Sequence, residues 1–276
     1  MRGKWITVVL IAVFVVGLSL LVYPTISNTW NARTQSRVIA NYDSKVQQLD
    51  NTRLERLMRV AQAFNQELSS KPNQWFFTSQ QREEYEAQLS VSGQGAIGYL
   101  KIPKIGVSLP IYLGTGEAVL QVAVGHMGGS SLPIGGLSTH SVLTGHRGLP
   151  SAKLFTDLDK LDVGDVFQIT VLREILTYEI DQVLVVAQDE ARDLRIIEGE
   201  DYCTLLTCTP YGINTERLLV RGQRIDTIMN GVDIIPNVEG FQHDAILIAT
   251  LIIIPSTLLL IVLLLIGRYK KRSAAK

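Results

Sequence analysis

Two long apolar runs lie near the ends of the chain. The first, WITVVLIAVFVVGLSLLVYP, follows Arg2 and Lys4 and has an apolar core of about 18 residues, longer than that of a usual signal peptide. The second, AILIATLIIIPSTLLLIVLLLIG, begins at Ala245, carries no charge and is followed by RYKKR. At about 1.5 Å per residue, about 22 uncharged residues are enough to cross a bilayer, so the second run predicts a transmembrane helix.

The first run fits either a cleaved signal peptide or an uncleaved anchor. We favour the anchor because of the length of its core and because no A-x-A-like cleavage site clearly follows it. Positive charge flanks the outer end of both runs, so the positive-inside rule places both termini in the cytoplasm. The residues from about Tyr23 to Asp244 are then expected outside the membrane.

Between Asn28 and Ser70 the pattern is helical. Apolar residues recur at steps of three and four, and neither Gly nor Pro interrupts the segment, which predicts one or two amphipathic helices. The recurring positions are Leu54, Leu57, Ala61, Phe64 and Leu68. The stretch KPNQWFF, Lys71 to Phe77, then breaks the pattern with three large aromatics, which fit the core or a loop laid over a groove. A second short helix is predicted from Ser79 to about Leu89.

From Gly93 onward, short apolar runs alternate with turns rich in Gly and Pro. This pattern indicates a closed β-barrel or a sandwich. The candidate strands are AIGYLKI, VSLPIYLG, SVLTG, VFQITVL, ILTYEIDQVLVVA, CTLLTC and RLLVRGQRI. SAKLFTDLDKL is predicted to be a short helix with Ser151 as its N-cap. GVDIIPNVEGFQ, residues 231–242, is predicted to be a linker back to the membrane.

The charge and composition of the chain exclude few classes of function. The chain has 26 basic and 26 acidic residues, which gives no argument for nucleic acid or for a strongly charged partner. The mean hydropathy of +0.19 is high for a soluble protein, and the excess comes from the two terminal runs.

The two cysteines, Cys203 and Cys208, lie in one candidate strand at an odd spacing. Alternation sends them to opposite faces, about 16 Å apart, whereas a disulfide needs Cα atoms within about 7 Å. We therefore predict that both thiols are free, and an exported protein that keeps a free thiol often uses it. A cysteine nucleophile also needs an acid–base partner and a donor for the developing oxyanion.

Of the four histidines, His146 has the most suitable context. It lies in SVLTGHRGLP, where an apolar strand ends in a Gly-rich loop, and functional side chains are common at such strand ends. His243 abuts the second apolar run and is expected at the membrane interface. His126 and His140 fit turn or core positions, although either could act directly.

Cys208 and a following arginine fit the same strand-end pattern. Cys208 ends the apolar strand of TLLTCTPYG, and Arg217 opens the next strand after a short turn, so the two are predicted to be neighbours in a hairpin. Near Cys208, the Arg217 guanidinium would offer fixed donors to an oxyanion. Arg221 and Arg224 compete for this role, and Arg221 shares the face of Arg217 by alternation.

LTGHRGLPSAKLFTDLDKL together with TLLTCTPYGINTERLLVRG resembles the sortases, most closely the pilus-building class C sortases. The resemblance covers roughly Gly93 to Asp226. It implies that His146 is the catalytic histidine, Cys208 the nucleophile and Arg217 the catalytic arginine. The implied fold is mainly β, a closed sortase-type β-barrel with short helices, an N-terminal helical extension and two terminal transmembrane helices.

The resemblance also implies a reaction. Cys208 would cleave an LPXTG-like sorting signal after Thr, and a lysine amine on a pilin subunit would resolve the thioacyl enzyme. No metal or organic cofactor would be needed, and the implied partners are pilins and the lipid bilayer, without nucleic acid. The catalytic domain would lie on the extracellular face of the cell membrane of a Gram-positive bacterium. Housekeeping anchoring to a cell-wall precursor and thiol hydrolysis remain alternatives, and a two-span receptor or scaffold is a third.

The sequence departs from the class C pattern in two places. Many class C sortases place an Asp-Pro-aromatic lid before the barrel, whereas the nearest candidate here is Asn73-Gln74-Trp75. It lacks the carboxylate that could pair with Arg217 and the Pro that stiffens the loop. We predict a weaker or differently built lid, formed by Asn73 and Trp75. Glu216 stands where family members often have His, and alternation points it away from the site.

These observations divide the chain into seven segments. They are a cytoplasmic N-terminus (1–4), a transmembrane anchor or signal segment (5–23), an extracellular helical region with a candidate lid (24–92), the catalytic barrel (93–228), a linker (229–244), a transmembrane helix (245–266) and a basic cytoplasmic tail (267–276).

Overall fold

The structure is a computed structural model that describes residues 2–91, 95–227 and 257. The described residues fall into two compact units, one that includes the chain up to Ser27 and one that begins at Asn28. The predicted linker over 231–242, the predicted helix over 245–266 apart from Thr257, and His243 lie outside the described residues.

The first helix, α1, spans Arg2–Gln48. Within the described part of the chain it is the one helix long and apolar enough to cross a membrane, over Ala12–Gln48, although a signal sequence would pass the same test. Large apolar side chains of its N-terminal half, among them Val13, Leu20 and Leu21, are exposed. This exposure fits a helix surrounded by lipid, and the anchor over 5–23 stays a prediction.

Three further helices follow: α2 (Asn51–Ser69), α3 (Ser79–Glu86) and the short α4 (Glu117–Leu120). The predicted amphipathic and short helices are therefore confirmed. Asp50 caps α2 by accepting from the Arg53 backbone N–H at 2.7 Å, and Thr78 and Gln81 form a capping box at the start of α3.

Polar side chains attach the α1 and α2 helices to the rest of their unit. The Tyr42 hydroxyl of α1 donates to the Ile97 carbonyl and accepts from the Leu172 N–H, each at 2.7 Å. The Asn65 amide of α2 donates to the Leu132 carbonyl at 3.1 Å and accepts from its N–H at 2.7 Å. These bonds satisfy buried backbone groups that would otherwise lack partners.

Eight strands form a closed barrel in the order β1-β2-β3-β4-β7-β8-β6-β5. They are β1 (Gly98–Ile102), β2 (Val107–Leu113), β3 (Val124–His126), β4 (Thr139–Thr144), β5 (Val166–Val171), β6 (Glu174–Ala187), β7 (Asp201–Thr209) and β8 (Glu216–Ile225). The mainly β, closed-barrel prediction is confirmed. Each of the seven candidate strands is present, and β3 was not predicted because three residues are too few to show alternation.

The barrel core explains which face of each strand is free for a site. Leu143 of β4, Leu205 of β7 and Val220 of β8 are fully buried and pack in the interior. Cys203 shares their face and is buried, whereas Cys208 is half-buried on the opposite face. Both thiols are free, as the odd spacing predicted.

The helix predicted from Ser151 is wrong. The segment is a series of turns with a 3-10 helix only at Leu158–Lys160. Leu154 has φ 38°, outside the right-handed helical region, and the Phe155 N–H donates to the His146 carbonyl at 3.1 Å instead of to the preceding turn. The apolar residues of the segment are buried in the core, and this burial decides its path over helix propensity.

Candidate active site

The register of three neighbouring strands aligns the three predicted site residues. In the antiparallel pair of β7 and β8, Cys208 lies opposite Arg217. In the parallel pair of β4 and β7, Thr144 lies opposite Leu206. Beyond Thr144, the Gly145 N–H donates to the Leu206 carbonyl at 3.1 Å, so the ladder continues past the end of the strand.

This continuation sets the place of His146. The Thr207 hydroxyl donates to the Gly145 carbonyl at 2.7 Å, which fixes the residue before Cys208 to the residue before His146. Because adjacent strands are about 4.8 Å apart, one further step along both chains brings the backbones of His146 and Cys208 side by side. We call His146, Cys208 and Arg217 the strand-end row.

An apolar patch lies on the same outer face, directly behind the strand-end row. Leu206 and Leu219 are paired across β7 and β8, one row from Cys208 and Arg217. With Val142 and Leu194 they form a buried cluster, and Trp75, Met127, Leu184 and Val186 pack against it. We call the four buried residues of this cluster the outer patch. The strand-end row is therefore bordered on one side by an apolar surface.

The His146 ring is paired with an acidic side chain. Its Nε2 lies 3.5 Å from the carboxylate of Glu117, on α4. A hydrogen bond from Gln121, and then the nearby His146, lower the pKa of the exposed Glu117 carboxyl. Sequence reasoning missed Glu117, because 29 positions separate it from His146 and nothing in the pattern links them.

The Arg217 guanidinium is held at the turn that follows Cys208. It donates to the carbonyls of Asn214 at 3.3 Å and Glu216 at 3.0 Å. Glu216 pairs with Thr209, one step from the Cys208–Arg217 pair, and its side chain is exposed. The guanidinium is thus anchored to the turn beside the thiol, with donors free to reorient towards a substrate.

The competing arginines are occupied elsewhere. Arg221 shares the outer face but lies two rows from the strand-end row, with Asp181 at 2.6 Å and 3.1 Å and the Tyr202 ring 4.3 Å away. Arg224 lies 5.8 Å from the centre of the Tyr178 ring.

His126 and His140 are core residues. His126 Nδ1 lies 2.9 Å from the Tyr85 hydroxyl, and His140 Nε2 lies 2.7 Å from the Thr204 hydroxyl. Burial lowers the pKa of each histidine to about 4, so both are neutral near pH 7. A neutral, fully enclosed imidazole serves packing and hydrogen bonding here.

Arg147, the residue after His146, joins the two loops of the site. Its guanidinium donates to the Thr209 hydroxyl at 3.3 Å and to Asp159, and lies 5.9 Å from the centre of the Tyr211 ring. Thr209 directly follows Cys208. A side chain that is 8% exposed therefore ties the loop that carries His146 to the turn that follows Cys208.

The aromatic segment Lys71 to Phe77 lies against the barrel, and we call it the strap. Its central residue is the buried Gln74, whose amide donates to the Gly129 carbonyl at 3.0 Å and accepts from the Ile196 N–H at 3.1 Å. Trp75 packs on Gly129 and on the outer patch, and the Asn73 side chain accepts from the Trp75 N–H at 3.2 Å. The strap therefore places Trp75 on the outer patch, one row from Cys208, and Gln74 holds it to two loops by hydrogen bonds.

Across residues 2–91 and 95–227, no group of three or more His, Cys, Asp or Glu side chains could hold a metal ion. The expectation that no cofactor is needed stays a prediction.

Comparison with known proteins decides the family. The Sortase domain model matches residues 100–225. Among solved structures, sortase C1 from Streptococcus agalactiae is 50% identical, with a TM-score of 0.68, and the match covers 69% of this chain and 99% of that one. The chain belongs to the sortase family.

Other relatives place this sortase beside class C members. Sortase C from Clostridium perfringens, solved with the C-terminal cell wall sorting motif, is 41% identical, with a TM-score of 0.62, over 70% of this chain and 100% of that one. Sortase C from Streptococcus pneumoniae is 46% identical, with a TM-score of 0.62, over 69% of this chain and 97% of that one. Sortase D of Bacillus subtilis is 28% identical over 68% of this chain and 92% of its own. Sortases are cysteine transpeptidases.

Proposed function

We propose that this sortase polymerises pilins. It would cleave an LPXTG-like sorting signal after Thr, hold the product as a thioester on Cys208 and transfer it to a lysine amine of another pilin subunit. The observation that carries the proposal is the strand-end row, in which β-ladder register brings a histidine, a cysteine and an arginine to one end of three adjacent strands. A nucleophile, an acid–base group and an oxyanion donor are what acyl transfer requires.

In the first half-reaction, the Cys208 sulfur attacks the carbonyl carbon of the Thr–Gly bond. The thiol proton passes to His146 and from there to the departing glycine nitrogen as the C–N bond breaks. Arg217 donates hydrogen bonds to the oxygen of the tetrahedral intermediate, where charge develops. The thioester remains on Cys208, and the imidazole of His146 is again neutral.

In the second half-reaction, a lysine amine attacks the thioester carbonyl. The new C–N bond forms, the C–S bond breaks, and the thiolate of Cys208 takes a proton from the attacking nitrogen. The incoming ammonium must first lose one proton; neutral His146 would accept it and release it to solvent after the amide has formed. The product is an isopeptide bond between two subunits.

Two of the similar solved structures favour a pilin substrate. The C. perfringens neighbour was solved with a cell wall sorting motif, and the structure of the S. pneumoniae neighbour provides insights into pilin substrate specificity. Housekeeping anchoring of proteins to a cell-wall precursor uses the same first half-reaction with another amine and is the second candidate. Simple hydrolysis, in which water replaces the amine, is the third.

We further propose that both terminal apolar runs cross the cell membrane and that the barrel works on the extracellular face of a Gram-positive cell. The segment boundaries given above, with the barrel over 93–228 and the second span over 245–266, belong to this proposal. The exposed apolar N-terminal half of α1 supports the first span.

The test follows both half-reactions in the full-length protein in detergent. An LPXTG-like peptide should add its acyl mass to Cys208, and a lysine-bearing pilin should then yield a ligated product. Cys208→Ala should abolish both. Cys203→Ala is the matched control, because that buried thiol faces the core and should be dispensable. Hydrolysis without any ligation product would overturn polymerisation, and a fully active Cys208→Ala variant would overturn the mechanism.

A further inference from the structure

A cavity of about 640 Å³ lies next to the outer patch, over β2 and β3. Phe77 of the strap and Tyr85 of α3 line one side of it, and Tyr112 and Gly114, from the end of β2, line another. The reaction described above does not use this cavity. Its volume falls in the range of ordinary ligand sites.

The cavity and the outer patch share a wall. Trp75 and Met127 line the cavity, and both also pack against the outer patch with Leu206. The strap residue Trp75 thus lies between the cavity and the outer patch.

The cavity also reaches the helix that touches His146. Val119 of α4 lines it, and two positions earlier in α4 Glu117 places its carboxylate 3.5 Å from His146 Nε2. The helix α4 therefore links the lining of the cavity to the carboxylate that touches His146.

The polar groups of the cavity suit a peptide. Gln88 is 7% exposed, and its side-chain Oε1 has no hydrogen-bond partner although it is buried. An unpaired buried acceptor costs about 1 to 3 kcal/mol, and a backbone N–H of a bound segment would satisfy it. Arg82 and Glu86 of α3 contribute one charge of each sign to the lining.

We propose that this cavity binds the acceptor substrate, an extended peptide segment whose lysine amine resolves the thioester on Cys208. The proposal rests on the proposed function, because only a transpeptidase needs a second polypeptide site. The Gln88 oxygen would accept from the backbone of the segment, and the aromatic walls would hold the lysine stem and its ammonium. The ammonium would then reach Glu117, whose carboxylate draws it to His146.

In this arrangement the lysine binds as an unreactive ammonium first and attacks the thioester only after it has lost a proton. The Glu117 carboxylate pairs with the lysine ammonium without reacting. His146, neutral after the first half-reaction, takes one proton from the ammonium, and the free amine attacks the thioester carbonyl. The second amine proton passes to the Cys208 thiolate as the C–S bond breaks, so the balance of the proposed function is unchanged.

The test begins with photo-crosslinking. A lysine-bearing peptide with a diazirine next to the lysine is irradiated with the full-length Cys208→Ala protein in detergent. Crosslinks that map to residues 77–97 and 112–128 are expected. Crosslinks confined to other parts of the protein would overturn the proposal. This measurement uses a variant without turnover, so its outcome does not depend on whether the donor half-reaction occurs.

Two variants then test the same site in turnover. Thr115→Trp narrows the cavity from an exposed lining position, and Gln88→Leu removes the unpaired oxygen. Each should lower the ratio of ligation to hydrolysis products about tenfold, which corresponds to about 1.4 kcal/mol. Glu84→Gln, an exposed change on α3 outside the cavity, is the matched control and should keep the ratio.

The mass of the Cys208 thioester separates the two possible failures. If the unchanged protein forms no thioester, the proposed function fails. If both variants form the thioester and keep the wild-type ratio, the acceptor site is overturned. Should one variant lose the thioester through misfolding, the other variant and the crosslinking map decide.

Discussion

At the scale of single residues, Arg147 has the clearest role beyond the strand-end row. Its buried guanidinium holds Thr209 and Asp159, and so joins the loop of His146 to the turn after Cys208. Reactive groups that shift by about 1 Å can lose about 100-fold in rate. Arg147 is therefore a positioning residue and does not itself touch the reacting atoms.

Arg147→Met should keep the side-chain volume and remove the tie. We expect kcat/KM for thioester formation to fall by about 10-fold to 100-fold, with KM for the donor peptide changing less than kcat, because misplacement acts on the transition state. Steady-state kinetics with a fluorogenic donor peptide measures both.

The matched control for this change is Arg59→Met, because Arg59 is exposed on α2 and pairs only with Glu55 in the same helix. It should leave both constants unchanged. A normal kcat in Arg147→Met would remove the positioning role, and a rise in KM alone would point to substrate binding instead.

Much of the candidate site follows from the sequence at this scale. The odd spacing of Cys203 and Cys208 and the short turn before Arg217 were enough to predict free thiols and a Cys208–Arg217 pair. The partners of Arg147 and His146 were not predictable. Asp159 lies in the segment whose path was wrongly predicted, and Glu117 meets His146 only through the packing of α4.

At the scale of elements, the strap stands where an Asp-Pro-aromatic lid was expected, and it is held by different contacts. Gln74 bonds to Gly129 on one loop and to Ile196 on another, so a neutral amide holds the segment in place of an ion pair with Arg217. Trp75 then packs on the outer patch, whose residue Leu206 lies one row from Cys208. These hydrogen bonds from a neutral amide do not depend on the charge of Arg217.

Opening the strap should expose the thiol. Gln74→Leu removes the hydrogen bonds that hold the strap, and Trp75→Ala removes the side chain that is expected to cover the thiol. Each should raise the rate of Cys208 alkylation by iodoacetamide several-fold. For Gln74→Leu this matches the loss of about 0.5 to 1.5 kcal/mol per net hydrogen bond. Mass spectrometry of Cys208 against time gives the rate in the full-length protein.

Phe76→Ala is the comparison for the strap variants, because Phe76 neighbours Trp75 but is 67% exposed. It should leave the alkylation rate unchanged. An unchanged rate in both Gln74→Leu and Trp75→Ala would count against any covering role for the strap.

Elements were predictable where their pattern was long. The helices before the barrel and seven strands follow from periodicity and turn signals. The three-residue β3 is too short to show alternation. The path of the segment after Ser151 is set by the burial of its apolar side chains in the core, and this leaves Leu154 with a φ of 38°. Helix propensity depends on the local sequence alone and therefore cannot predict the effect of such tertiary packing.

At the scale of the whole molecule, two buried histidines should make the barrel sensitive to acid. The folded pKa of His126 and of His140 is lowered to about 4 from 6.5 by burial. Between these values the unfolded chain binds more protons than the folded one. The stabilising contribution is therefore complete above about pH 6.5 and is lost as the pH falls towards 4.

Between pH 7.5 and pH 5.0 we expect the free energy of unfolding to drop by about 2 kcal/mol for each of these histidines. Urea unfolding of the full-length protein in detergent, followed by tryptophan fluorescence at both values, measures the drop. His140→Gln should lower the stability at pH 7.5 yet shrink the difference between the two pH values. An undiminished difference in that variant would show that other groups cause the acid sensitivity.

The closed barrel itself was predicted, but its strand order was not. Alternation shows which residues face inward, and it carries no information on which strands become neighbours. The parallel pairing of β4 with β7, 62 residues apart at Thr139 and Asp201, arises only when the whole sheet closes. That pairing is what brings His146 to Cys208, so the site depends on a contact that local sequence cannot specify.

The opposite orientation of the two cysteines also determines how the protein responds to oxidants. Cys203 is sealed in the core, where burial raises the pKa of its thiol well above the usual range, and the whole chain has no third cysteine. A sulfenic acid formed on Cys208 therefore has no internal resolving thiol with which to condense. Reduction of such a sulfenic acid would therefore require an external reductant small enough to reach Cys208 past the strap.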